Sequence, residues 1–214
     1  MRGTPAGRFV NRLRSLAAPF RARVLRMLIR TGQRARIHGI EVIDISREGA
    51  AGSSFTKIGE AVNLMIAHDL PSLERVRRDL DQIIVFTGTG AQYIPELNAC
   101  FLDAGYVARQ PPARIAMSLV HEATHAQLFR QGLRYEPGVR AGIEEMCVQA
   151  EIGFAEKVPG TQDLIAQARQ HLTNPWWTDA ELFKRRVERL RASGWPAWLV
   201  RWYERAFRPP VGSS

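Results

Sequence analysis

The chain is poor in cysteine, with only Cys100 and Cys147 in 214 residues. Two thiols do not make a disulfide framework, so the fold must be held by its core, and a reducing compartment is the natural setting. No apolar run reaches 18 residues, so no transmembrane helix is expected. Arginines interrupt every apolar stretch near the N-terminus, and no continuous signal-peptide core forms. The expected location is cytoplasmic, with peripheral contact to a membrane as the variant.

Acid is also missing where base is plentiful. Ten arginines lie at or before Arg36, and the first acidic residue is Glu41. The net charge is +9, yet residues 37–214 hold 20 basic and 21 acidic side chains. The basic character belongs to residues 1–36, and the near-neutral remainder gives no reason to expect a nucleic-acid-binding face. A hydrophobic content of 45% and a charged content of 24% are ordinary for a globular domain. The organisation expected is a basic segment over 1–36 and one domain over 37–214.

Within the basic segment, Phe9, Leu13, Leu16 and Phe20, then Val24, Met27 and Leu28, recur at helical spacing, with Pro19 dividing two amphipathic helices over 8–30. Such a lead can lie on an anionic membrane surface, target an organelle or touch nucleic acid. Equally, its apolar stripe can dock on the domain while the arginines stay in water.

After a break at Gly32–Gly39, residues 40–46 have strand character and 47–54 read as a loop ending in an N-cap serine. A helix over 55–69 closes at Pro71, and Ser72 caps a short charged helix. QIIVF (82–86) and NACFLD (98–103) are short strands. The TGTG after the first of these lacks both GxGxxG spacing and a following lysine, so it reads as a loop. From Pro111 the pattern is helical: roughly 112–130, 139–158 and 162–172, then two helices in the tryptophan-rich tail. Strands with helices first and helices alone afterwards indicate an α+β fold with a small antiparallel or mixed sheet.

The stretch LVHEATHAQL (119–128) carries the chemistry. His121 and His125, at i and i+4 on a helix, project from one face and can reach one ion at about 2.0–2.1 Å. Glu122 points about 100° round the helix, where it can reach a water on the metal without being a ligand. Met117, His121, His125 and Leu128 share one stripe, so the histidines face inward. A third ligand must come from elsewhere. Glu144 and Glu145 follow His125 by 19 and 20 residues on the next helix. There Ile143, Met146, Cys147, Ala150 and Phe154 form the expected buried stripe. Glu144 sits at its margin and Glu145 projects outward, which favours Glu144 with Glu145 as the fallback. Cys147 reads as a small buried side chain, and His38 and His68 as surface or core residues.

HEATH with a glutamate on the following helix resembles the gluzincin group of zinc metallopeptidases. LVHEATHAQL together with IEEMCVQAEIGFAEKVPG and NPWWT is further similar to an uncharacterised bacterial set of small HExxH proteins, over roughly residues 80–180. The resemblance implies a zincin-like helical core, one zinc ion held by His121, His125 and Glu144, and Glu122 as general base. Many gluzincins place an aspartate four residues after the ligand glutamate, to orient a histidine. Here that position is Val148, and Glu151 is the candidate substitute.

The function expected is hydrolysis of peptide bonds by a zinc-held water, in a peptide or protein substrate paired with an edge strand at 98–103. Tyr135, His171 and Arg140 are candidate donors to the oxyanion. The alternatives are a metal-binding protein without turnover, or an interaction module acting through the arginine-rich lead.

Overall fold

A computed structural model describes residues 18–46, 51–88, 90–136, 138–175, 177–192 and 196–207. The first amphipathic turn (Phe9, Leu13, Leu16), part of the 47–54 loop, and Trp176 and Trp195 of the tail lie outside the described residues.

In chain order the elements are α1 (Ala18–Arg30), β1 (Gln33–Ile37), β2 (Ile40–Asp44), α2 (Ala51–His68), α3 (Leu70–Asp79), β3 (Gln82–Phe86), β4 (Ala91–Ile94), β5 (Ala99–Asp103) and α4 (Ala104–Arg109). Then come α5 (Pro112–Arg130), α6 (Arg140–Ala155), α7 (Gln162–Thr173), α8 (Asp179–Ala192) and α9 (Ala197–Phe207). The fold is α+β around one mixed five-stranded sheet of order β1-β2-β3-β5-β4. The three central strands run parallel, and both edge strands are antiparallel to their neighbours.

The central strands are apolar on both faces because both faces are covered. Ile83, Val85, Cys100 and Leu102 turn toward a core shared with Ile58, Val62, Leu73, Leu119 and Val120 of the helices. Ile84, Phe86, Ala99 and Phe101 turn the other way, against Ile29 and Leu25 of α1. Helix α1 docks Leu25 and Ile29 on the sheet, while Arg23, Arg26 and Arg30 are exposed, and so is Met27, which was expected on the apolar stripe.

Four local expectations are corrected. The Gly32–Gly39 break is a hairpin: β1 pairs with β2, and His38 (φ 46°) and Gly39 (φ 88°) form its two-residue turn. β1 alternates arginine with smaller residues, and only one side of it is covered, so its apolar signal is weak. Helix α2 begins at Ala51, which places Ser54 inside the helix and not at its cap. Pro71 opens α3, where a missing N–H costs nothing; the cap position is Asp69, whose carboxylate takes a bond of 2.6 Å from Ser72. Finally, 98–103 is not an edge. β5 lies between β3 and β4, all five of its residues are buried, and β4 is the edge strand.

Helix α5 starts behind Pro111 with Pro112 in its first turn and runs to Arg130, as the sequence pattern predicts. It is buried on most sides, touching α2, α3, α6 and β4. Ala116, Ala123 and Ala126 are fully buried and let those neighbours approach closely. Its one wet stripe is the one that carries the histidines.

Candidate metal centre

The two imidazoles meet where their spacing puts them, with Nε2 of His121 3.1 Å from Nε2 of His125. Helix α6 brings the Glu144 carboxylate to both: Oε2 is 3.3 Å from His121 Nε2 and Oε1 is 3.7 Å from His125 Nε2. Ligands about 2.0–2.1 Å from one tetrahedral ion stand about 3.3–3.4 Å apart, so this spacing fits a metal. Glu145 is exposed on the outer face of α6.

Glu144 is not marginal on its helix. The buried face of α6 comprises Ile143, Glu144, Cys147, Val148, Glu151, Ile152, Phe154 and Ala155, while Met146, expected inside, is exposed. The buried face is rotated toward α5 because the carboxylates on it have partners there. Glu144 Oε1 accepts a hydrogen bond from the Tyr135 hydroxyl, and the Tyr135 ring stands edge-on to His125 at 5.6 Å.

Cys147 is the donor that sequence reasoning overlooked. His121, His125 and Cys147 offer donor atoms that all lie within 4.8 Å of one another, a group able to hold a metal ion. The signal was available, since Cys147 is three residues from Glu144 and so on the same face. Its side chain also belongs to an apolar cluster with Leu128 and Ile143, and burial pushes its thiol pKa up, reinforced by the charges of Glu144, Glu122 and Glu151.

Behind the histidines stands Glu151. Its Oε1 is 2.7 Å from His121 Nδ1, and its Oε2 is 3.7 Å from Arg114 Nη1. The His121 Nδ1 meets no hydrogen-bond geometry on that oxygen, so the contact is an electrostatic one. Val148 has no polar group to offer, and Glu151 is the carboxylate that stands behind His121.

Electrostatics follow from this crowding. Burial opposes charge on His121, but the carboxylates of Glu144 and Glu151 outweigh it and hold its pKa well above the ordinary value. Burial, then the charge of His121, push His125 down to about 4. Glu144 is likewise opposed by burial, yet its bonds and charges from the histidines and Tyr135 leave its pKa lowered. Glu122 is buried and pushed up to about 7, chiefly by desolvation, with Glu144 and Glu151 adding and His121 opposing.

The Glu122 carboxylate accepts the backbone N–H of Tyr93. That bond identifies which side of β4 faces the helix. Asp103 N–H bonds Gly90 C=O at 2.8 Å, so in the antiparallel register Gln92 and Ile94 also turn their polar groups to β5. Ala91 and Tyr93 turn theirs to the free edge, beside Glu122. The resulting cleft of about 520 Å³ is walled by Ala91, Gln92 and Tyr93 on one side, by the histidines and Glu144 at its floor, and by His171 and Trp177 beyond. Of the three expected oxyanion donors, Tyr135 and His171 line this cleft. Arg140 does not line it, and its guanidinium lies 5.0 Å from the Tyr135 ring centroid. His38 and His68 are exposed and distant, His38 bonding Asn63 at 2.8 Å. Comparison with known proteins gives no match: no family model, no curated protein and no solved structure is similar to the chain.

Proposed function

We propose that the chain is a zinc-dependent peptidase of gluzincin type with a zincin-like core, cleaving peptide bonds in the cleft between β4 and α5. The observation that carries this reading is the convergence of His121, His125 and Glu144 within 3.1–3.7 Å, with a buried Glu122 beside them. Zinc, when held there, supplies Lewis acidity that acidifies water and polarises a carbonyl.

The protein groups supply the rest. Glu151 orients His121 through Nδ1, leaving Nε2 to the metal. An extended substrate strand can take the outward-facing N–H and C=O groups of Ala91 and Tyr93, which sets its register against the catalytic helix. Substrate pairing at Tyr93 releases Glu122 from its N–H. Glu122 then takes a proton from the attacking water and delivers it to the leaving amine, a role suited to a carboxylate with a pKa near neutrality.

Cys147 supports a second reading. A site closed by two histidines, Glu144 and the thiolate would have no open position and would be structural, a metal-binding protein without turnover. The preference for turnover rests on Glu122, a buried carboxylate for which a structural site has no use. Among the described residues no helix is long and apolar enough to cross a membrane. The test is zinc stoichiometry together with digestion of a mixed peptide pool by wild type and Glu122→Gln. One zinc per chain in both proteins, with cleavage in wild type alone, supports the peptidase; equal zinc and no cleavage in either supports the structural site.

A further inference from the structure

Resting on the peptidase reading, we infer that Arg114 makes one end of the cleft a subsite for a substrate carboxylate, so that the preferred peptides carry a negative charge close to the bond that is cut.

Arg114 lies in the first turn of α5 and shares a stripe with Ser118, His121 and His125, all of which line the cleft. Its side chain is only 19% exposed, yet among the described residues no carboxylate fills its guanidinium fork. Its ion pair with Glu151 is loose, at 3.7 Å, and that oxygen belongs to a carboxylate already engaged by His121. The buried Nη1 has no hydrogen-bond partner. A guanidinium whose Nη1 is buried without a hydrogen-bond partner is costly, and a carboxylate is the acceptor its geometry matches best.

Two hydroxyls border the guanidinium, joined in a chain that ends on the Arg114 carbonyl, which Ser118 Oγ donates to at 3.2 Å. Asp103 ends β5 and caps α4, accepting the Tyr106 N–H at 2.7 Å, which holds the Tyr106 ring against α5. There the Tyr106 hydroxyl lies 2.7 Å from Ser118 Oγ, and both residues line the cleft beside Arg114. The guanidinium makes this corner anion-accepting, in a cleft lined elsewhere by apolar Leu133, Phe129 and Ile143 and by the carboxylates of Glu122, Glu144 and Glu151.

Spacing converts this corner into substrate geometry. Seven residues of helix separate Arg114 from His121, about 10 Å at 1.5 Å per residue. An extended peptide covers that distance in roughly two or three residues at about 3.3 Å each. A carboxylate bound at Arg114 therefore places the scissile carbonyl over His121 and His125 when the two are two or three residues apart. A C-terminal carboxylate satisfies this, and so does an acidic side chain at the same spacing. Water adds across the amide: the N-terminal piece gains the hydroxyl as a new carboxylate, and the C-terminal piece leaves as an amine carrying the proton.

The experiment uses the full, zinc-loaded protein and one peptide pool in three forms: free C-terminal acid, C-terminal amide, and amide with aspartate or glutamate at varied positions. Cleavage at two or three residues from a carboxylate is expected, with kcat/KM about ten- to a hundredfold lower for plain amides. If only free acids are favoured, the carboxylate is the terminus; if acidic amides are restored, it is a side chain. Arg114→Gln is expected to abolish the acid-to-amide ratio. An arginine that merely held Glu151 in place would instead lower both activities alike and leave the ratio intact, which overturns the inference. Equal cleavage of acids and plain amides by wild type overturns it too. Bound zinc without cleavage of any form rejects the peptidase reading itself, and the subsite with it.

Discussion

Glu151 Oε1 stands 2.7 Å from Nδ1 of His121, on the opposite side of the ring from Glu144 Oε2 at 3.3 Å from Nε2. One helix, α6, thus holds both nitrogens of one imidazole, seven residues separating the two carboxylates. On the proposed reading the two nitrogens would take different roles, Nδ1 holding a proton toward Glu151 and Nε2 serving as the metal donor.

If Glu151 orients His121 in this way, Glu151→Gln will bind zinc about 10- to 100-fold more weakly than wild type while remaining folded. Competition with a chromophoric chelator measures this. Unchanged affinity would show that the contact orients nothing.

Glu122 gives a pH prediction in the metal-free protein. Its pKa, near 7 because of burial first and Glu144 and Glu151 next, exceeds that of an unfolded glutamate. The folded state therefore binds the extra proton, and stability is expected to fall as pH rises from about 4.5 to 7, by on the order of 2–3 kcal/mol. Glu122→Gln removes this slope. Chemical denaturation of both metal-free proteins at several pH values checks it, and parallel pH profiles would contradict it.

Asp69 predicts the opposite dependence. Burial works against its charge, but Ser72 and Lys157, the latter at 2.9 Å, leave its pKa below the usual value. Its contribution is fully present above about pH 4 and is lost as pH falls through the depressed folded-state value. Lys157 is half exposed, so the loss on Asp69→Asn at neutral pH is expected to be about 1 kcal/mol, vanishing in acid. Urea denaturation at neutral and acid pH measures it, and a loss of equal size at both would contradict it.

Asp79 ties the ends of two helices together. Its fully buried carboxylate takes both Arg78, at 2.9 Å and 3.0 Å, and Arg130 from the last turn of α5. Asp79→Ala strands Arg130 beside the end of α3 and is expected to cost about 2 kcal/mol, discounted because both arginines are partly in water. Thermal denaturation measures it, and a change under about 0.5 kcal/mol, the size of an ordinary surface substitution, would contradict it.

The sequence made α5 legible to the residue because two prolines mark its start and the histidines, Met117 and Leu128 share one stripe. Glu144 was legible for a partly mistaken reason. Periodicity placed it at the margin of a stripe containing Met146, whereas α6 buries it and exposes Met146. Hydrophobicity alone could not reveal a face whose buried positions include carboxylates paired with another helix. β1 and β4 escaped notice for a different reason. Each is an edge strand with little buried apolar surface, and strand character there comes from pairing with the next strand in the chain and not from its own hydrophobic pattern. The edge was therefore placed at 98–103, whose apolar run marks a strand covered on both sides.

A metal held by His121, His125 and Glu144 is the central claim, and zinc-edge X-ray absorption on the zinc-loaded protein tests it most directly. Nitrogen and oxygen scatterers at about 2.0–2.1 Å with two imidazoles are expected, unchanged by Cys147→Ala and reduced in number by Glu144→Ala. A sulfur shell at about 2.3 Å that disappears in Cys147→Ala, with the Glu144→Ala spectrum unaltered, would contradict the claim and give the third position to the thiolate.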